Sequence, residues 1–396
     1  MGAAVIRRIL VVALVLVAVA PLRVAVAAGC TVPKGTYTGQ TPWAQKLLDP
    51  GRIWPLTTGS GVTVAVVGTG VDPANAQFGS STVLPAIDLL PGGPPDCDGR
   101  GTFAAGIVAA RSDPSTTFEG VAPDARILPI RYTQSTTDSV NQGGAPDALA
   151  AAIVRAVGAA AKVILVVVPA LSDSGALDSA VAQALAAGDV IVSPATAGQA
   201  GGRSYPTATA GVLAVGAVNQ AGAAVQTEAG DYLAVAGPGA DLVSTSAGAG
   251  GKLGHTWPVQ DASFSAAYVA GAVTLLRSYR PDLTPGEVAA RLTLTASRPA
   301  GGGHDGHLGW GVVDAYAAVS ATLPVGVAGP GAAPVVAPGV VVPAGRSAGV
   351  ASPYRWVGIA AVLAVLGAVA IAVGAVTVRR GRARGWRLGR VRVPVK

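Results

Sequence analysis

The sequence is poor in the residues that most often carry chemistry. Among 396 residues there are three histidines, two cysteines and one methionine, and only 12% are charged. Three histidines leave few candidates for a general base near neutral pH. Two cysteines allow one disulfide, and no metal site and no cofactor are expected. Positive charge is also scarce where it would matter. The formal charge is +7, but Arg7, Arg8, Arg23 and the eight basic residues from Arg379 to Lys396 make up 11 of the 28 basic residues. Removing them leaves 17 basic against 21 acidic residues, a net of −4 for residues 28–355. That balance excludes nucleic acid as a partner. No internal repeat is present.

Apolar residues are abundant, at 51%, and the two ends account for the longest runs. Residues 1–27 combine Arg7 and Arg8, an apolar stretch over 9–20 and the small-residue site Ala25-Val26-Ala27, the pattern of a signal peptide. Residues 356–378 contain no charged side chain in 23 positions, enough to span a bilayer with some tilt. The basic tail that follows, 379–396, places the C-terminus in the cytoplasm and the body of the protein outside the cell membrane. Residues 323–355 form a Pro/Gly/Ala-rich tether between body and membrane. Cys30 and Cys97 lie in the exported part, where oxidation is permitted, so they are expected to pair and pin the mature N-terminus to Asp96-Cys97-Asp98.

Between the ends, residues 28–60 read as an extended arm that wraps the body, with Trp43 and Trp54 as packing anchors. In 61–322, short β-branched runs at 62–67, 126–132, 163–168, 190–192 and 212–218 alternate with helical patterns at 101–110, 146–160 and 176–187. Strands without polar alternation, separated by helices, predict an α/β fold with a mainly parallel sheet covered on both faces. Function is then expected at the carboxyl ends of the strands. Two more helices are predicted, over 263–279 and from Thr284 to about Ala296. The first opens on Asp261-Ala262-Ser263-Phe264-Ser265, which delivers Ser263 to a helix start beside unpaired amides, the setting of a nucleophile with an oxyanion site.

Pro42-Trp43-Ala44-Gln45, Asp96-Cys97-Asp98-Gly99, Tyr205-Pro206, the run 211–218 and Gly309-Trp310-Gly311-Val312-Val313-Asp314 resemble the subtilases. More narrowly they resemble the mycosins, the membrane-anchored subtilisin-like proteases associated with type VII secretion. The resemblance covers nearly the whole chain and implies a subtilisin-like fold, an association with the type VII secretion membrane complex and a triad in the order Asp, His, Ser. At the triad the sequence departs from the family. The strand-end aspartate falls at Gly68 in Val67-Gly68-Thr69-Gly70, and the histidine falls at Arg100 in Asp98-Gly99-Arg100-Gly101-Thr102. A guanidinium stays protonated and cannot act as a base. The oxyanion asparagine has its nearest equivalent in Gln199, with a longer side chain and a two-residue shift of register. The Gly-Thr before the serine is Asp261-Ala262. Ser263 alone remains of the machinery.

His255, eight residues before Ser263, is expected across a hairpin, more simply as a satisfied side chain than as the base of a dyad. His304 and His307 read as loop residues and Asp72 as a turn carboxylate before Pro73. The expectation is a catalytically inactive, structural or binding member of the family, with peptide capture at Arg100 as a variant. The alternatives are an active serine endopeptidase that processes secreted proteins and a plain cell-wall spacer.

Overall fold

The computed structural model describes residues 29–92, 95–134, 144–196, 202–225 and 228–323. The expected signal peptide, most of the tether, the expected span 356–378, the basic tail and Gln199 lie outside the described residues.

The centre of the molecule is a seven-stranded sheet in the order β2-β3-β1-β4-β5-β6-β7, with every neighbouring pair parallel. The strands are β1 (Thr63–Gly68), β2 (Ile87–Asp88), β3 (Arg126–Arg131), β4 (Val163–Val166), β5 (Val190–Pro194), β6 (Leu213–Val218) and β7 (Leu233–Pro238). All six residues of β1 are buried, because successive side chains point to opposite faces and both faces are covered. Val64 and Val66 pack into the core that holds α2 (Arg100–Ala109) and α5 (Ser265–Tyr279). Ala65 and Val67 pack into the other core, against α3 (Pro146–Gly158) and α4 (Gly175–Ala186). This is the α/β architecture predicted from the sequence, and the predicted helix and strand positions recur within a residue or two.

α5 is buried from Ser265 to Arg277, which small residues make possible. A Cβ on Gly271 would lie 2.6 Å from the Val121 Cβ. A capping box between Thr284 and Glu287 starts α6 (Pro285–Thr295), and Asp314 caps α7 (Ala315–Ser320).

Several features were not legible in the sequence, β2 and α7 among them. The arm contains a short helix, α1 (Trp43–Leu48), where extended chain was expected; Leu48 is buried, and Trp43 Nε1 donates to the Ala240 carbonyl at 2.9 Å. β7 completes the sheet, and β8 (Leu242–Thr245) and β9 (His255–Val259) form an antiparallel pair outside it. The predicted helix at 263–279 opens with a 3₁₀ turn over Ala262–Phe264.

The start of the arm is tied to the body by a disulfide and backbone hydrogen bonds. Cys30 and Cys97 are bonded, and the Thr31 amide donates to the Cys97 carbonyl at 2.8 Å. The Lys34 amide donates to the His255 carbonyl at 2.9 Å, and the His255 amide to the Gly35 carbonyl at 2.8 Å.

Candidate functional site

The carboxyl end of β1 abuts the start of α2 so closely that side chains are excluded. A Cβ on Gly101 would sit 1.7 Å from the Gly70 carbonyl oxygen, and Gly70 itself has a φ of +99°, a conformation that glycine adopts at little cost. Thr69 Oγ1 accepts the Gly101 amide at 3.0 Å. Buried Asp96 accepts the Gly99 and Thr102 amides, each at 2.8 Å, and the Thr102 hydroxyl at 2.6 Å. Desolvation pushes the Asp96 carboxyl above its ordinary pKa against these donors.

Arg100 is the first residue of α2 and is 9% exposed. A cation at a helix N-terminus opposes the helix dipole, and a buried guanidinium needs counter-charge. Two carboxylates supply it. Asp98 Oδ1 lies 3.1 Å from Arg100 Nε and Asp261 Oδ2 lies 3.5 Å from Arg100 Nη2. The Asp98 contact is ionic rather than an aligned hydrogen bond, since that oxygen has no hydrogen-bond partner among the described residues. Burial pushes the Asp98 carboxyl up to about 6, although the Arg100 cation pulls it down.

The other oxygen of Asp261 is committed to the serine. Asp261 Oδ1 accepts the Ser263 amide at 2.9 Å and the Ser263 hydroxyl at 2.6 Å. One carboxylate thus caps the 3₁₀ turn and accepts hydrogen bonds from both the serine hydroxyl and the serine's own backbone N–H. Ser263 is 4% exposed. The chain Asp98, Arg100, Asp261, Ser263 is a closed set of charges and hydrogen bonds.

The structure brings Arg100 and Ser263 into one cluster, with the end of β1 at its edge. Gly68 closes β1, and a Cβ there would meet the Val167 Cβ at 3.0 Å. Arg100 has two carboxylates beside it already, which removes the free cation that peptide capture there required. His255 is a satisfied core histidine: Nδ1 accepts the Tyr37 amide at 3.1 Å and Nε2 is 2.6 Å from Gln77 Oε1. It has no nitrogen left for Ser263. His304 Nε2 lies 2.7 Å from the Leu233 carbonyl and packs edge-on to Trp310, so it is less loop-like than expected; His307 is exposed. Asp72 is a turn carboxylate, accepting the Ala74 amide at 2.9 Å and the Gly248 amide at 2.7 Å. Sequence reasoning gave no role to Asp98 or Asp261. The available signal was the joint appearance of a cation at Arg100 and an anion at Asp261.

A parallel sheet of this order, with a serine opening the buried helix beside the end of β1, defines the subtilisin-like class. The Subtilase family (Peptidase_S8) matches residues 59–311. Mycosin-1 of Mycobacterium tuberculosis (strain ATCC 25618 / H37Rv) is 33% identical over 353 residues, which span 77% of this chain and 78% of the relative. Mycosin-4 of the same organism is 33% identical over 348 residues, 78% of this chain and 76% of the relative. Among solved structures, MycP1 from Mycobacterium smegmatis is similar with a TM-score of 0.62 and 28% identity, over 76% of this chain and 91% of that one. A chain of the periplasmic assembly from the ESX-5 inner membrane complex is similar with a TM-score of 0.65 and 27% identity, over 81% of this chain and 94% of that one. The chain belongs to the subtilase family and, within it, to the mycosins.

Proposed function

We propose that this chain is a non-catalytic mycosin: a subtilase fold held on the outer face of the cell membrane by the C-terminal span 356–378, acting as a structural or binding component of a type VII secretion membrane complex. The likeness to MycP1 and to a chain of the ESX-5 inner membrane assembly supports the partner. The likeness to proteases supports descent, and the chemistry of the site argues against activity.

One observation carries the reading. The position where the family holds its base is Arg100, locked between Asp98 and Asp261, and Asp261 takes both the hydroxyl and the amide of Ser263. A serine needs a base of matched pKa to lose its proton, and a guanidinium is not one. Acyl transfer also needs backbone N–H groups aimed at a developing oxyanion. Here the amide of the serine faces a carboxylate, which repels that oxyanion. Gly68 supplies no acid to orient a base. Loss of the triad costs on the order of 10⁶ in kcat, measured in the subtilisin for which that loss is known.

The test is a serine-directed fluorophosphonate probe applied to the full chain in detergent, wild type and Ser263→Ala, together with co-purification of type VII membrane components. The expected outcome is no labelling in either form and equal co-purification. Labelling of wild type that Ser263→Ala abolishes would overturn the inactive reading in favour of a working endopeptidase. Loss of co-purified components from both forms would overturn the partner instead.

A further inference from the structure

The imidazole of His255 ties separate segments of the molecule together. It opens β9 and is completely buried. Its Nδ1 accepts a backbone N–H, that of Tyr37, at 3.1 Å. An amide can only donate there, so the ring proton resides on Nε2, which donates to Gln77 Oε1 at 2.6 Å. Gln77, 1% exposed, spends its amide group on the Arg111 and Phe118 carbonyls, each at 2.8 Å. The Phe118 ring lies edge-on to the imidazole, with centroids 5.7 Å apart. Through this relay one neutral ring joins the N-terminal arm at Gly35 and Tyr37 to the loop 111–118. Thr116 Oγ1 closes the circuit by donating to the Tyr37 carbonyl at 2.7 Å.

We propose that His255 is an acid-operated latch: protonation at Nδ1 sets a second donor against the Tyr37 N–H and releases the arm over residues 31–40, while the Cys30–Cys97 disulfide keeps the freed segment tethered. No rotation of the ring rescues the contact, because both nitrogens of an imidazolium are donors. The surroundings offer little compensation. From the arm, the Lys34 ammonium donates to the Trp257 carbonyl at 2.6 Å, and the Tyr37 phenol donates to the Gln40 carbonyl at 3.0 Å. From the loop, Asp113 favours the imidazolium, as the Gly35 backbone does from the arm, and the Arg111 side chain is exposed. β8 carries no titratable side chain. Burial draws the closed ring down to about 4 from an ordinary 6.5, more than the Gly35 backbone and Asp113 together restore. The closed arm therefore binds fewer protons than the open arm between those values, and opening gains as pH falls through that window. This device is independent of whether Ser263 is catalytic.

The experiment is hydrogen exchange on the full chain in detergent at pH 7 and pH 5, with intrinsic exchange rates divided out. The opening constant read at residues 34–37 is expected to rise roughly 20-fold at pH 5 in wild type. The amides of β4 are expected to stay unchanged. In His255→Asn, whose side-chain oxygen accepts the Tyr37 N–H at any pH, the rise is expected to vanish. No rise in wild type, a rise of equal size in β4, or a rise that survives in His255→Asn would each overturn the latch. The wild-type comparison stands even if the variant does not fold.

Discussion

Arginine at the first position of α2 is held there by its neighbours rather than by its own preferences. The helix dipole disfavours it, and Asp98 and Asp261 offset the cost. Arg100→Ala leaves two carboxylates facing one another with no cation between, and breaking such a buried set costs about 3 kcal/mol. The loss is expected to be smaller at pH 5 than at pH 7.5, because Asp98, pushed up to about 6, takes a proton in between. Urea midpoints of wild type and Arg100→Ala at the two pH values check this; a pH-independent difference contradicts it. The same cluster explains why restoring the family's residues one at a time is expected to fail. Arg100→His with Gly68→Asp still leaves Asp261 on the serine amide and adds a third carboxylate. Only the triple change that includes Asp261→Gly is expected to gain fluorophosphonate labelling, read on a gel against the Ser263→Ala background.

At the scale of elements, the site depends on how closely β1 approaches α2. The Gly70 carbonyl stands where a Cβ of residue 101 would be, 1.7 Å away. Backbone cannot yield as a side chain does, so Gly101→Ala must separate strand from helix. It is expected to be far more damaging than Gly286→Ala, whose added methyl meets nothing within 4 Å. Thermal unfolding of the two variants side by side checks this, and similar melting temperatures would contradict it. Gly68 is an intermediate case: the Val167 Cβ at 3.0 Å must give by a few tenths of an ångström to admit an aspartate.

For the whole molecule, two buried groups set opposing responses to acid. Asp98 titrates at about 6 in the fold, above the 3.8 of a free aspartate. The folded chain holds this proton more tightly than the unfolded chain, so its contribution falls as pH rises through that window. His255 titrates at about 4, below 6.5. The unfolded chain binds that proton more tightly, so stability from this group is lost as pH falls from 6.5 toward 4. In wild type the two slopes largely offset. Asp98→Asn removes the first and leaves the second, so its stability is expected to drop more steeply between pH 6.5 and 4.5 than that of wild type. Urea unfolding across that range measures it, and parallel curves would contradict the assignment.

The sequence by itself determined the sheet strands β1 and β3 to β6, the helices on their two faces, the Cys30–Cys97 disulfide, and the serine at a helix start. These follow from local periodicity and from short motifs, which are one-dimensional signals. The resemblance of short motifs also implies that Gly68 and Arg100 stand where the family holds an acid and a base, a reading that needs no coordinates. β2, β7, β8 and β9 were not legible, since β2 is two residues long, Gly and Ala dilute β7, and the short β8 and β9 owe their pairing to partners distant in the chain. The partners of Arg100 were decided only by the fold: Asp261 is 161 positions away in the chain, and contact between them exists because β1, α2 and α5 converge. His255 was likewise an unremarkable residue in sequence. Burial among Tyr37, Gln77 and Phe118, from three separate segments, fixes its tautomer and its response to acid.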